Sequence, residues 1–115
     1  MALSSDFERY ALEQLGAAGE VSARRMFGGV GLYRDGLFFG LLHDNAVYLK
    51  VDEQTRPRFE AAGMRRFSPY ADGRAQFDFF ELPGDALEDP ERLADWLSEA
   101  LAVARRAKSP RRRRR

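Results

Sequence analysis

Apolar residues recur along this chain with two alternating periods, and the switches between them mark out its elements. Leu3, Phe7, Tyr10 or Ala11, and Leu15 stand three or four apart, the spacing of one buried stripe on a helix. Ser5 and Glu8 have the separation of a capping box, in which hydroxyl and carboxylate satisfy the free amides of the first turn. Gly16 and Gly19 mark the exit, where glycine takes the left-handed conformation at little cost. From Val21 the period shortens to two. Val21 to Phe27, Val30 to Arg34, Leu37 to His43 and Ala46 to Asp52 read as strands, separated by Gly28-Gly29, Asp35-Gly36 and Asp44-Asn45. Asp-Gly signals a type I′ hairpin, because both central residues take positive φ, and Asp44-Asn45 is a weaker form of it. Val47, Leu49 and Val51 alternate with Tyr48 and Lys50, so one face of the fourth strand is buried. Leu37 to Leu42 is apolar on both sides. That predicts a central strand covered on both faces, or one face left for a partner molecule.

A short helix follows, from about Thr55 to Ala62, closed by Gly63. Pro57 limits where it begins, since proline is tolerated only in the first turn. Arg65 to Tyr70 and Gln76 to Leu82 read as two further strands joined through Asp72-Gly73. Asp89 and Pro90 then open the last helix as cap and first residue, and Leu93, Trp96 or Leu97, Ala100, Leu101 and Ala104 form its apolar face. The order α-β-β-β-β-α-β-β-α, with consecutive hairpins, predicts an α+β fold: two layers, a mainly antiparallel sheet with helices packed on it.

Composition narrows this picture without redrawing it. The 115 residues fit one domain, and 44% apolar residues with nine Phe supply one continuous core. Cysteine is absent, which removes disulfides, thiolate metal sites and cysteine nucleophiles, and suits a reducing cytosol. Met1 to Asp6 has neither the basic nor the apolar region of a signal peptide, and no apolar run approaches the roughly 18 residues of a membrane span. The expectation is a soluble, cytoplasmic protein with no membrane contact. Charge changes more. Residues 105–115 hold eight basic groups and no acid, which leaves 11 basic against 18 acidic residues in 1–104. An acidic body carries a cationic end.

Candidate chemistry is sparse. His43, the single histidine, sits beside a turn with only its sequence neighbour Asp44 to orient it, and reads as a surface residue. One histidine and no cysteine build no common zinc site. No nucleophile elbow or Walker-type loop is present. Asp85, Glu88, Asp89 and Glu91 cluster at a helix start, where carboxylates stabilise exposed amides and the positive dipole end. Gly28-Gly29-Val30-Gly31 lies between strands and opens no helix, so it reads as a tight turn or bulge instead of a phosphate cradle. Arg24 and Arg25 point to opposite faces of a strand. Tyr33, Phe38, Tyr48, Phe77, Phe79 and Phe80 exceed what one sheet face must bury. Base stacking by them requires interleaved cations, and the acidic body favours core packing plus a protein surface. The basic end associates with polyanions through counterion release, or serves as a solubilising tail lying on its own acidic body; both readings stand open.

Arg24-Arg25-Met26-Phe27-Gly28-Gly29-Val30-Gly31-Leu32-Tyr33, then Asp35-Gly36-Leu37-Phe38-Phe39-Gly40 and Val47-Tyr48-Leu49-Lys50-Val51-Asp52, resemble the N-terminal domain of the TfoX/Sxy family of bacterial competence regulators. The resemblance continues through Phe59-Glu60-Ala61-Ala62-Gly63 and the helix entered by Asp89-Pro90, and covers about residues 5–107. It implies a two-layer α/β fold similar to secretion-chaperone-like domains. It also implies a non-enzymatic part in switching on DNA-uptake genes together with the cAMP receptor protein. Two-domain members carry a further C-terminal domain where this chain has its basic end, and the family offers no catalytic residues to carry across.

These observations give a domain at 1–107 and a basic disordered tail at 108–115, with no catalytic residue, metal or cofactor. The expected activity is regulatory binding through a protein partner or a homodimer, with Arg24, Arg25, Met26 and Phe27 at the interface. Nucleic-acid contact is expected from Arg105, Arg106, Lys108, Arg111, Arg112, Arg113, Arg114 and Arg115. The alternative is a structural or chaperone-like interaction domain with no nucleic-acid role.

Overall fold

The computed structural model describes residues 3–26, 28–68 and 77–108. Helix α1 (Ser5–Ala17) leads into a meander of four strands: β1 (Ser22–Met26), β2 (Gly29–Arg34), β3 (Leu37–His43) and β4 (Ala46–Lys50). Helix α2 (Arg56–Ala61) precedes β5 (Phe79–Glu81), and α3 (Gly84–Leu87) and α4 (Pro90–Lys108) follow. The strands lie side by side in chain order, every pair antiparallel. Both predicted hairpins have the left-handed residues that type I′ turns require: Asp35 and Gly36 at φ 53° and 78°, Asp44 and Asn45 at φ 52° and 59°.

Local chemistry sets the helix boundaries. The cap of α1 is Ser4, one residue before the serine that the capping-box spacing points to; its Oγ accepts from the Phe7 amide at 3.1 Å. The Ser4 amide in turn donates to Asn45 Oδ1 at 2.8 Å, which pins the start of α1 to the β3–β4 turn. Glu8 leaves the cap and reaches Arg25 on β1 at 3.5 Å. At α4 the expectation holds: Asp89 Oδ1 accepts from the amides of Glu91 and Arg92, and Pro90 opens the helix. Leu93, Trp96, Leu97, Ala100, Leu101 and Ala104 are all buried.

The helices cover one face of the sheet. Val30, Leu32, Leu42, Val47, Leu49 and Phe80 point into a single cluster with side chains of α1, α2, α3 and α4. The central strand β3 owes its non-alternating sequence to an irregularity. Leu32 pairs with Gly40 and Tyr33 with Phe38, so Phe39 is an extra residue between them. Phe39 turns into the helical core while Phe38 faces the other way. β3 is covered within the chain on both sides at its middle, since Phe39 and Leu42 lie under helices and Leu41 under Phe67 and Phe79.

Two elements differ from the sequence reading. Of the strand expected at Arg65 to Tyr70, the described residues show one bridge, Arg66 to Phe80, with backbone bonds from Phe67 to Phe79, from Phe77 to Phe67 and from Glu81 to Arg65; Tyr70 lies outside the described residues. The partner strand shrinks to the three residues of β5, and the Asp72-Gly73 turn lies outside the described residues. A short helix, α3, occupies what was expected to be a plain connection. The observed order is therefore α-β-β-β-β-α-β-α-α. α2 is fixed to α4 by Arg58, whose guanidinium lies 3.7 Å over the Trp96 ring and pairs with Asp95 at 2.7 Å and Glu99 at 2.6 Å. Among the described residues no helix is long and apolar enough to cross a membrane.

Candidate interaction surface

The sheet face away from the helices carries a second, smaller core: Leu41, Phe67 and Phe79, with Met26, Phe38, Tyr48 and Phe77 packed around it. Strand alternation puts these side chains there. Ser22, Arg24 and Met26 of β1 share that face with Gly29, Gly31 and Tyr33 of β2, because each residue pairs directly with its neighbour. Gly31 makes room for Met26, whose Cε would stand 2.6 Å from a β-carbon at that position.

A row of two stacked rings with a cation at each end crosses this face. The Arg24 guanidinium carbon lies 5.5 Å from the centre of the Tyr33 ring. Tyr33 stacks on Phe38 at 5.0 Å and 22°, and the Lys50 ammonium lies 5.6 Å from the centre of Phe38. Burial holds the Lys50 ammonium below the ordinary lysine range, opposed by the charge of Asp78. Sequence reasoning finds the rings and Arg24 separately, but not Lys50 and not that the two cations flank the rings. The signal is present in strand parity: Arg24 and Tyr33 face the same way once the β1–β2 turn is fixed, whereas the extra residue in β3 hides the match to Lys50.

The expected interface residues divide between the two faces. Arg24 and Met26 lie on the open face, Arg25 turns toward α1 and Glu8, and Phe27 lies outside the described residues. Arg24 is exposed and, among the described residues, has no carboxylate within ion-pair distance. β1 is exposed from Ser22 to Arg25 and, among the described residues, pairs only with β2. At the opposite end of the sheet, the outer edge of β5 is occupied by residues 65–67. Among the described residues, the free edge of the sheet is β1.

Of the basic residues expected to meet nucleic acid, Arg105 and Arg106 are exposed on the last turns of α4, and Lys108 is its final residue. Arg111, Arg112, Arg113, Arg114 and Arg115 lie outside the described residues. Arg106 is engaged within the fold, at 2.7 Å from Asp52 Oδ2. The pair lines a cleft of about 450 Å³ with Lys50, Arg56, Asp78 and Val103, in which cations and carboxylates face one another. His43 is half-buried with its ring edge-on to Phe67 at 5.1 Å, so it is a packing residue more than a surface one. Asp85 pairs with Arg92 at 3.1 Å and Asp89 caps α4, which accounts for half of the acidic cluster. Among the described residues no three His, Asp or Glu side chains are placed to hold a metal ion.

Asp52 gives this end of the molecule a pH dependence. Burial pushes its carboxyl up, but hydrogen bonds from Arg106 and the Gln54 and Thr55 amides, with the Arg106 charge, outweigh that and hold it below the usual range. A carboxyl depressed by folding contributes its full stability above the unfolded pKa of about 4 and loses it as pH falls through the folded value. Asp52→Asn should therefore be less stable than the parent at pH 7, and the gap should close as pH falls below the unfolded carboxyl value of about 4. Urea denaturation at stepped pH measures this; a gap that stays constant into acid rules out the Asp52–Arg106 pair as its source.

Residues 13–104 match the TfoX N-terminal domain family, so the match takes in the end of α1, the whole sheet, α2, α3 and most of α4. The chain is 30% identical over 88 residues to the DNA transformation protein TfoX1 of Aliivibrio fischeri (strain ATCC 700601 / ES114). That alignment covers 76% of this chain and 42% of the relative, so this chain spans less than half of that protein's length.

Proposed function

Because the chain belongs to the TfoX N-terminal domain family, we propose that it is a non-enzymatic regulatory module of DNA uptake, acting through protein contacts and steadied on nucleic acid by its basic end. The observation that carries this reading is the family match combined with the separation of charge along the chain. Residues 84–104 carry six carboxylates against Arg92 alone, and residues 105–115 carry eight cations and no acid. α4 thus leads an acidic helical surface directly into a cationic terminus. Cations so concentrated release condensed counterions from a nucleic acid without reading its sequence. Specific recognition then belongs to the folded body, where the exposed β1 edge and its arginines lie.

Two measurements test the proposal. In filter binding to duplex DNA at several salt concentrations, replacing Arg111 to Arg115 by Gln should weaken retention. It should also flatten the salt slope by roughly 0.9 for each phosphate no longer neutralised. Equal retention removes the nucleic-acid part and leaves a purely protein-binding module. For the regulatory part, the chain expressed in a naturally transformable host lacking its own family member should raise a reporter fused to a DNA-uptake gene. A silent reporter with folded protein present sinks it.

A further inference from the structure

We infer that the free edge of β1 is a docking site for an extended, acidic segment of a partner protein, added to the sheet as a further strand. The inference rests on the regulatory-module reading for its biological sense, and on three observations for its chemistry. First, among the described residues β1 is paired on one side only. Every second residue of an antiparallel strand turns its N–H and C=O away from the neighbour, so β1 has an unpaired outer row, while the far edge of the sheet, on β5, is already taken by residues 65–67. An added strand satisfies such groups directly.

Second, the charge at this edge selects the occupant. Arg24 has no carboxylate partner among the described residues, and Arg25, with 77% of its side chain exposed, is held only by Glu8 at 3.5 Å. Most other arginines of the described surface are paired: Arg58, Arg65, Arg66, Arg92 and Arg106 each reach a carboxylate. A second copy of the chain fits poorly, since antiparallel self-pairing about this strand sets arginines against arginines, and like charges opposite one another are destabilising. An acidic strand places a carboxylate opposite Arg24 instead.

Third, the row behind Arg24 argues for a protein partner over single-stranded nucleic acid. Tyr33 has Phe38 and Arg24 over it, and Phe38 has Tyr33 and Lys50 over it. Tyr33 and Phe38 are engaged by one another and by cations, which sets them against the use of the row as a stacking platform for bases. What the row does supply is a fixed support that holds Arg24 at the edge.

The test uses the full chain, labelled with nitrogen-15, and two decapeptides, one alternating Glu with Val and one alternating Lys with Val. The Glu peptide should shift and protect amides of Ser22 to Met26 and their β2 partners, and the Lys peptide should not. Arg24→Glu should weaken the Glu peptide roughly tenfold, as expected when an attractive cross-strand pair becomes a repulsive one. Arg24→Gln serves as the milder variant, and unchanged spectra elsewhere show that each variant is folded. Shifts confined to residues 105–115, or equal binding by Arg24→Glu, overturn the inference. A labelled dT20 should perturb the basic end only; if it maps to β1 and competes with the Glu peptide, the edge belongs to nucleic acid and the inference is wrong. The reporter separates the two levels: an active reporter with no peptide at β1 removes the docking site and leaves the regulatory reading intact.

Discussion

Replacing Gly29 by alanine is expected to unfold much of the population or cut stability by about 3 kcal/mol or more, the upper range for overpacking in a close-packed interior. The reason is specific to the place. A β-carbon on Gly29 would overlap the carbonyl oxygen of Leu42, with the Leu42 carbonyl carbon at 3.1 Å and the His43 Cα at 3.3 Å. All three atoms are main chain of β3, the central strand, and cannot swing aside as a side chain can. Relief requires moving β2 from β3, and with it the pairing of Val30 to Leu42 that brings both residues into the helical core. Gly31, two residues on, is the control. A β-carbon there meets the Cε and Sδ of Met26, the far end of a flexible side chain, and the edge of the Phe38 ring at 3.3 Å; all three are side-chain atoms, so Gly31→Ala should cost far less. For a domain with about 5–15 kcal/mol in total, a loss of 3 kcal/mol lowers the melting midpoint by roughly 12–24 °C. Thermal denaturation followed by circular dichroism measures both variants. Similar midpoints for the two would show that the close approach at Gly29 does not decide the fold.

The two glycines also mark how far this molecule is legible without its structure. β3 is bounded correctly at Leu37 and His43 by sequence alone, because glycine, aspartate and asparagine punctuate both of its ends. The cap and buried stripe of α4 are equally plain, since Asp89-Pro90 and the 3.6-residue period agree with each other. The first cap is displaced by one residue. Ser4 and Ser5 both offer a hydroxyl, and the choice between them is made by Asn45, 41 residues away, which accepts the Ser4 amide. Burial on α1 is ambiguous in the sequence for a related reason. Tyr10 and Ala11 both fit the stripe, and the structure buries Ala11 while leaving Tyr10 38% exposed. A small residue lets the helix approach the sheet.

The candidate site is less completely legible. Arg24 and Arg25 stand out in the sequence, and their opposite orientations follow from strand geometry alone. Which of them remains unpaired depends on Glu8, a residue of α1 whose reach across to β1 no local pattern encodes. Lys50 escapes notice because its match to Phe38 passes through the extra residue at Phe39, and simple alternation breaks at that point. The strand expected from Arg65 to Tyr70 runs beyond the described residues; within them, residues 65–67 lie along β5 through one bridge and backbone bonds without forming a regular strand.

Phe59→Ala is the second substitution with a large expected effect, about 3–5 kcal/mol, the range measured for deleting a buried aromatic ring. Phe59 is 1% exposed and is the residue by which the short helix α2 enters the core. Its ring lies 4.6 Å from Trp96 on α4 and 5.9 Å from Phe80 on β5, so it joins the helical layer to the last strand. Six helical residues have little stability of their own, and α2 holds its place through this ring and the neighbouring Arg58. Removing the ring leaves a cavity between α2, α4 and β5 that the main chain cannot close without breaking the ion pairs of Arg58 with Asp95 and Glu99. Trp96, the single tryptophan, reports on this directly. In the folded variant its emission should move to longer wavelength as water enters beside the indole, and the urea midpoint should fall with little change in slope. An unchanged midpoint together with red-shifted emission would mean that α2 is held by Arg58 alone. In that case Arg58→Ala, which keeps the ring but removes both ion pairs and the contact over Trp96, should become the more damaging substitution of the two.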